Sequence, residues 1–513
     1  MSLPRRALLS VNDKAGLPAF GRGLSRLGFE LYATGGTRQV LEAASVDVRP
    51  VTDLTGLPEM LDGRVKTLHP GVHAGLLARR DLPEHLRQLD EHRLKLIDLL
   101  CVNLYPFQET LARPGSSFGE ILEQVDVGGP AMIRAAAKNH QDVVVVVRPE
   151  RYTELLAALH DGGVDVGMRR RLAAEAFAHT AAYDAQIAAW LLAETREEAA
   201  PEFPAQLSVS GTLARALRYG ENPHQQAAFY RLGADAGGLG SARQLSGPEL
   251  SYNNIQDAAA ACELVAEFHR PAAAIIKHLS PCGVAIGADL SEAYRRAYEC
   301  DPRSAFGGVV AVNGVLDTAT AEQVIAVKTD VLIAPGLAED AEAALRRRRN
   351  LRVLVVGPVR TRGLQVRSVP GGFLAQTWDE EGFARDRCRV VSRRPPTDAE
   401  WEQLQLAWLT VKHVRSNAIA LVRDLAAVGV GAGQMSRVEA AEIAVRRAAD
   451  RAAGSVMASD AYIPFADGVE VCLEAGATAV IQPGGSVRDP EVIAAVDAAG
   501  AAMVFTGERH FRH

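Results

Sequence analysis

The sequence predicts an α/β protein with more than one domain. Short apolar runs alternate along it with stretches whose apolar residues recur at helical spacing. Those runs show little apolar–polar alternation, as parallel strands covered on both faces do. A length of 513 residues exceeds one ordinary core, so about two to four domains are expected.

Ala7-Leu8-Leu9-Ser10 reads as the first strand, and Leu17, Phe20, Leu24 and Leu27 as the buried face of a helix. Residues 29–33 form the next strand, followed by the turn Thr34-Gly35-Gly36-Thr37 and a helix from about Arg38. Residues 99–103 and 143–147 add strands, and such a sheet binds ligands at the carboxyl ends of its strands. The polar, acidic stretch from Glu194 to Gly211, broken by Pro201 and Pro204, reads as a linker. Beyond it, Ala-rich helices separate apolar strands such as 272–276 and 308–312. Pro370-Gly371-Gly372 suggests a second boundary and Arg393-Arg394-Pro395-Pro396 a loop, which gives domains 1–200, 201–372 and 373–513. Thr397-Asp398-Ala399-Glu400 has the pattern of a capping box, with Trp401, Leu404, Trp408 and Val411 on one core-facing helical stripe. Arg346 to Arg349 reads as a solvated charge run at a helix end, and no short-period repeat is visible.

Hydrophobic content of 48% and charged content of 23% fit a soluble globular chain. A formal charge of -6 and a pI near 6.1 argue against bulk binding to nucleic acid or a membrane surface, so anions must be held by local clusters. Met1-Ser2-Leu3-Pro4-Arg5-Arg6 lacks a signal-peptide core and no apolar run approaches spanning length, so a cytoplasmic location is expected. The six cysteines form no Cys-x-x-Cys pair, which argues against a disulfide framework or a structural zinc site. His69 and His73 stand four apart, but Pro70 and Gly71 argue against a helix there, so no metal is expected.

Two loops crowd cations with imidazoles. Arg64-Val65-Lys66-Thr67-Leu68-His69-Pro70-Gly71-Val72-His73 lies in the first part of the chain and Lys277-His278-Leu279-Ser280-Pro281-Cys282-Gly283 in the second. Each looks built to hold an anion and move protons beside it, and together they suggest two active sites. Ser10-Val11-Asn12-Asp13-Lys14 and Thr34-Gly35-Gly36-Thr37 follow successive strands, so hydroxyls, glycine amides and a helix N-terminus converge at one sheet edge as a phosphate site. Lys66, Tyr105, Asp126 and Lys138 are the proton-handling candidates near it, although spacing alone equally allows surface ion pairs. Lys277 and His278 end a strand where a turn at Ser280-Pro281 begins, and there both can reach one pocket. Further polar loops run through residues 218–225, 251–254, 415–417 and 429–437, the last ending on Arg437, a candidate phosphate or carboxylate clamp.

These segments, in this order, resemble the bifunctional enzymes of de novo purine synthesis that join AICAR transformylase to inosine monophosphate (IMP) cyclohydrolase. The resemblance spans nearly the whole chain. It rests on Gly63-Arg64-Val65-Lys66-Thr67-Leu68-His69-Pro70, Asn103-Leu104-Tyr105-Pro106-Phe107 and Ala135-Ala136-Ala137-Lys138-Asn139-His140. It continues through Arg218-Tyr219-Gly220-Glu221-Asn222-Pro223-His224, Lys277-His278 and Ser304-Ala305-Phe306-Gly307-Gly308. Gly431-Ala432-Gly433-Gln434 and Ser459-Asp460-Ala461-Tyr462-Ile463-Pro464-Phe465 complete it.

The resemblance implies an N-terminal methylglyoxal-synthase-like (Rossmann-like) domain that closes the purine ring with loss of water. It implies that Lys66, Tyr105, Asp126 and Lys138 act on that closure while Ser10, Lys14, Thr34, Gly35, Gly36 and Thr37 hold phosphate, with Arg64 and Thr67 also on the substrate. It implies two following cytidine-deaminase-like α/β subdomains without zinc, where 10-formyltetrahydrofolate gives its formyl group to AICAR as co-substrate, with no metal required. His278 then takes the amine proton and Lys277 serves the departing folate nitrogen. Arg218, Tyr219, His224, Asn417, Arg437, Tyr462, Asp467, Arg509, Phe511 and His513 map onto nucleotide or folate contacts. The expected partners are AICAR, formyl-AICAR, IMP and folate, in a homodimer whose transformylase site lies at the interface, with neither nucleic acid nor membrane. Two positions depart from the pattern: Gly308 stands where some members carry an acidic residue, and Leu279 is bulkier than the usual neighbour of the Lys-His pair. The rival readings are the same scaffold with one working site, a phosphosugar- or nucleotide-binding regulator, and an RNA-binding scaffold, which the acidic balance disfavours.

Overall fold

The computed structural model describes residues 5–61, 63–105, 107–194, 203–232, 237–359 and 364–513. Met1 to Pro4 of the N-terminal reading, Pro106 and the Pro201 end of the linker lie outside the described residues. The chain divides into two compact units, Met1–Gly211 and Thr212–His513. Among the described residues no helix is long and apolar enough to cross a membrane.

The first unit is built on five strands: β1 (Arg5–Ser10), β2 (Phe29–Ala33), β3 (Arg49–Pro50), β4 (Leu99–Val102) and β5 (Val144–Val146). All pair in parallel, in the order β3-β2-β1-β4-β5. Successive residues enter opposite cores, Leu8 and Leu100 on one face, Ala7, Leu9 and Leu99 on the other, which explains the near-continuous apolar runs. Strand order reverses between β1 and β4. That crevice is where an open α/β sheet takes its ligand. Two local expectations are corrected. The helix after β2 spans Gly35–Ala43 and so begins at the glycines, before Arg38, because Thr34 already stands in the extended N-cap conformation. Pro70 does not prevent a helix but starts one, Pro70–Leu77, since the first helical position needs no amide proton; His69 caps it, its Nδ1 accepting from the Gly71 amide at 3.0 Å.

The second unit holds a twelve-stranded mixed sheet. Its first half contributes β8 (Arg243–Ser246), β9 (Ala272–Lys277), β10 (Ser280–Ile286), β11 (Val309–Val312), β12 (Val331–Ala334) and β13 (Arg352–Val355). The second contributes β16 (Arg389–Val390), β17 (Ile419–Arg423), β18 (Ala426–Gly431), β19 (Val456–Ser459), β20 (Ala479–Gln482) and β21 (Ala502–Phe505). Outward from the centre the orders are β10-β9-β11-β12-β13-β8 and β18-β17-β19-β20-β21-β16, with the same parallel and antiparallel sense at every step. The unit is thus a structural duplication whose copies join edge to edge through β10 and β18.

One core continues across both halves, under the helices Tyr252–Val265 and Asp398–Lys412, and contains Trp401, Leu404, Trp408 and Val411. The Thr397 capping box is complete, with Glu400 returning to the Thr397 amide at 2.8 Å. Two further hairpins stand apart from the large sheet: β6 (Thr212–Leu217) with β7 (Ala227–Arg231), and β14 (Gln365–Val369) with β15 (Gly372–Gln376). Pro370-Gly371 forms the tip of the latter, with Gly371 at a φ of 84°.

Candidate active sites

In the first unit, the ends of β1, β2 and β4 meet at the switch crevice. Asn103, just past β4, accepts the amides of Asn12 and Asp13 at 2.6 and 2.9 Å and so fixes the loop after β1. Ser10 Oγ lies 2.9 Å from Thr34 Oγ1, while Thr37 Oγ1 accepts the Val11 amide at 3.0 Å and donates to the Val11 carbonyl at 3.1 Å. The Thr34 side chain makes no capping bond, which leaves the first amides of Gly35–Ala43 without a side-chain cap. A side-chain carbon placed at Gly35 or Gly36 would meet no atom within 4 Å, so the space on the side-chain side of these two glycines is open. A helix N-terminus of this kind is one at which an anion can be held.

Lys14 Nζ folds back on the Val11 carbonyl, and burial holds its pKa below the ordinary lysine value, with Asp13 opposing and Lys66 adding to the shift. Lys66 Nζ stands 3.5 Å from the hydroxyl of Tyr105, a half-exposed ring. Asp126 lies close enough to Lys66 to feel its charge. Burial nonetheless pushes its carboxyl above the usual range, partly offset by the Gly129 amide, which donates to Oδ1 at 2.8 Å, and by Lys66. The Asp126 amide in turn donates to the hydroxyl of Tyr183 at 2.8 Å. Thr67 packs on the start of the helix Gly128–Lys138, where an added carbon at Gly128 would come within 2.7 Å of its Oγ1.

Two candidates stand apart. Lys138 ends the helix that Gly128 begins, about 15 Å along its axis from Asp126, and is exposed. Arg64 is exposed and paired with Glu123.

In the second unit, Lys277 and His278 line a cleft of about 330 Å³ with Ser280, Asp301, Ser304, Gln434, Arg446 and Arg447. The turn differs from the expected one. Ser280 and Pro281 already belong to β10, and the two-residue turn is His278-Leu279, both left-handed at φ 54° and 64°. This twist matches the flanking strands of a tight hairpin but costs side-chain strain in residues other than glycine or asparagine. Asp257 offsets that strain by accepting the Leu279 amide at 2.7 Å, and Leu279 packs on the continuous core. Lys277 Nζ donates to the Phe306 carbonyl at 2.7 Å. Asp301 accepts from Ser304 Oγ at 2.6 Å and pairs with Arg447 at 2.8 Å. At Gly308 a side-chain carbon would lie 3.0 and 3.1 Å from two backbone oxygens, so a bulkier residue requires the backbone to give.

The other candidates fall outside this cleft. Arg437 is buried, its guanidinium held by Asp460, by Ser459 Oγ at 2.9 Å and by Asn417 Oδ1 at 2.9 Å, so it is largely engaged within the fold rather than open as a clamp. Asn417 continues to the carbonyls of Gln434 and Met435 at 3.1 and 3.2 Å, and Gln434 lines the cleft. Arg218 lies over the ring of Tyr219, its Cζ 4.8 Å from the centroid, and His224 is exposed on the same loop. Tyr462, Asp467, Arg509, Phe511 and His513 are all exposed. Sequence reasoning missed Asn103 and Tyr183 in the first unit and Asp301 and Arg447 in the second. Asn103 stood in the Asn103–Phe107 segment without an assigned role, and the pair Asp301-Pro302, an N-cap followed by a helix-starting proline, was a further local signal.

Residues 136–447 match the family model described as AICARFT/IMPCHase bienzyme, and residues 16–131 match an MGS-like domain. The chain belongs to the AICARFT/IMPCHase bienzyme family. A relative from Roseobacter denitrificans, "Bifunctional purine biosynthesis protein PurH", is 53% identical over 99% of each chain. Relatives of the same name from Cereibacter sphaeroides and Shouchella clausii are 53% and 50% identical, over 99% and 100% of this chain and 98% and 100% of theirs. The MGS-like match takes in Thr34 to Thr37, Lys66, Tyr105 and Asp126, and the AICARFT/IMPCHase match takes in Lys277, His278, Asn417 and Arg437.

Proposed function

We propose that the chain is a cytoplasmic bifunctional enzyme of purine biosynthesis, with formyl transfer in Thr212–His513 and ring closure in Met1–Gly211. The observation that carries this reading is the separation of two cation-lined sites into two units of a chain matched end to end by relatives named as bifunctional.

For formyl transfer, the amine of AICAR attacks the formyl carbon of 10-formyltetrahydrofolate, and the bond from that carbon to the folate nitrogen breaks. His278 receives the proton the amine sheds, and Lys277 supplies one to the departing nitrogen. Their placement on one tethered turn favours this division of labour. For ring closure, the carboxamide nitrogen of formyl-AICAR adds to the formyl carbon, and the formyl oxygen leaves as water with one proton from each nitrogen. Lys66 and Tyr105 face the developing oxyanion, and Asp126 handles protons. The Ser10, Thr34 and Gly35–Gly36 edge, with Thr37 and Lys14, seats the phosphate. Lys138, at the opposite end of the Gly128–Lys138 helix from Asp126, completes the set of proton-handling candidates.

The duplicated strand order supports two cytidine-deaminase-like subdomains, about 201–372 and 373–513, without the zinc of that fold. The hairpins β6–β7 and β14–β15, outside the large sheet, expose Leu213, Tyr230, Val366, Phe373 and Leu374, an apolar surface of the kind that takes a partner. A second copy of the chain covers them in the homodimer we propose, with the transformylase site completed there.

Purified protein given AICAR and 10-formyltetrahydrofolate should release tetrahydrofolate and IMP. Accumulating formyl-AICAR would leave only the transformylase, and no turnover would favour a nucleotide-binding regulator.

A further inference from the structure

The last five residues alternate in direction. Arg509, Phe511 and His513 are exposed, His510 is buried and Arg512 is half-buried. The outward three are those assigned above to nucleotide or folate, and they touch one another: Arg509 Cζ lies 4.6 Å over the Phe511 ring, which is 5.5 Å from that of His513. The inward two are anchors. His510 meets Asp379 at 2.6 Å and packs against Trp408.

Arg512 makes the wider set of contacts. One guanidinium nitrogen donates to Glu263 at 2.7 Å and another to Nδ1 of His413 at 3.1 Å. An acceptor role for Nδ1 leaves the His413 proton on Nε2, which faces Glu267 at 2.9 Å. The Arg512 backbone clamps Ser416 from both sides: its carbonyl accepts the Ser416 amide at 2.9 Å and its amide donates to Ser416 Oγ at 3.3 Å. Ser416 Oγ donates to Asp460, which is fully buried and also accepts from Arg437 and the Ala418 amide. Arg437 holds Asn417, and Asn417 exchanges backbone hydrogen bonds with Gln434 on the cleft wall. The chain of contacts is unbroken from Glu263 to the cleft.

We propose that Arg512 is a positioning residue for formyl transfer. By anchoring its side chain on Glu263 and His413, it holds its own backbone against Ser416, and so sets the outward face of Arg509, Phe511 and His513 and, through Asn417 and Gln434, one wall of the Lys277–His278 cleft. It touches no reacting atom. Removing it leaves Glu263 and Nδ1 of His413 without their Arg512 partner in a polar network that tolerates gaps poorly. The inference rests on reading that cleft as the formyl-transfer site.

The test uses the full chain with Arg512→Ala, Arg512→Lys, Glu263→Gln and His278→Ala. Formyl transfer to AICAR and cyclisation of supplied formyl-AICAR are measured on the same preparations, with and without added guanidinium. Arg512→Ala should lower kcat/KM for formyl transfer about 10- to 100-fold, as small misplacements of reacting groups do. Cyclisation, in the other unit, should stay within about twofold of wild type and so report an intact fold. Guanidinium should restore part of the activity of Arg512→Ala and none to His278→Ala. Arg512→Lys and Glu263→Gln, which keep half of the clamp, should fall between Arg512→Ala and wild type. Formyl transfer by Arg512→Ala at the wild-type rate, parallel loss of both activities, or a loss that guanidinium leaves untouched would each overturn the proposal. Undiminished formyl transfer by His278→Ala would overturn the cleft assignment instead, so the two failures are distinguishable.

Discussion

The Leu279 amide donates to Oδ1 of Asp257 at 2.7 Å, which ties the turn carrying His278 to the helix Tyr252–Val265. Two consecutive non-glycine residues in the left-handed region cost about 1–2 kcal/mol each. Asp257→Ala should therefore loosen the turn and reduce kcat for formyl transfer about tenfold or more, by mispositioning His278. Steady-state kinetics on both reactions check this, with cyclisation expected to be unaffected.

Gly129 lies against the carboxyl it positions. A side-chain carbon there would stand 2.4 Å from Oδ2 of Asp126 and 2.7 Å from Leu104. Gly129→Ala should swing the Asp126 carboxyl away and lower cyclisation about 10²-fold while sparing formyl transfer. Assay of supplied formyl-AICAR separates the two.

Asp126 also predicts a pH dependence. Burial raises its pKa above the unfolded value, so its relative stability is full below the unfolded pKa and is lost as pH rises through the folded pKa. Asp126→Asn keeps an acceptor for the Gly129 amide and removes the buried charge. It should melt a few degrees above wild type at neutral pH, with the difference closing on acidification, while cyclisation is lost. Calorimetry across pH 4 to 7 reads the effect.

The centre of the large sheet tolerates no side chain at two equivalent places. A carbon added to Gly283 would lie 1.9 Å from the Ala297 carbonyl, and one at Gly429 2.1 Å from that of Ala444. Backbone cannot yield as a side chain does, so Gly283→Ala and Gly429→Ala should each lower the stability of Thr212–His513 by at least about 1–3 kcal/mol. Denaturant unfolding followed by tryptophan fluorescence measures it, since Trp378, Trp401 and Trp408 all lie in that unit.

Much of this was legible in the chain because apolar runs and helical periodicity are local. Leu8 and Leu9 announce a strand buried on both faces, and Thr397 with Glu400 announces a capped helix. Pro70 misled because proline breaks a helix interior yet starts one at its first turn. The His278-Leu279 turn carries no Asn-Gly signal, since its conformation is enforced by Asp257 and the core rather than by its own residues. The duplication shows no short-period repeat in the chain, and only the resemblance implied paired subdomains, because it survives in strand order and at scattered equivalent positions such as Gly283 and Gly429. Arg447 meets Asp301 across 146 positions of chain, a pairing that only the fold creates.

The most direct measurement follows tetrahydrofolate and nucleotides together for Lys66→Ala and His278→Ala supplied with AICAR and 10-formyltetrahydrofolate. Two independent sites predict that Lys66→Ala releases tetrahydrofolate and accumulates formyl-AICAR, whereas His278→Ala releases none yet still closes supplied formyl-AICAR to IMP. Loss of both reactions in either variant would contradict the division of labour between the two units.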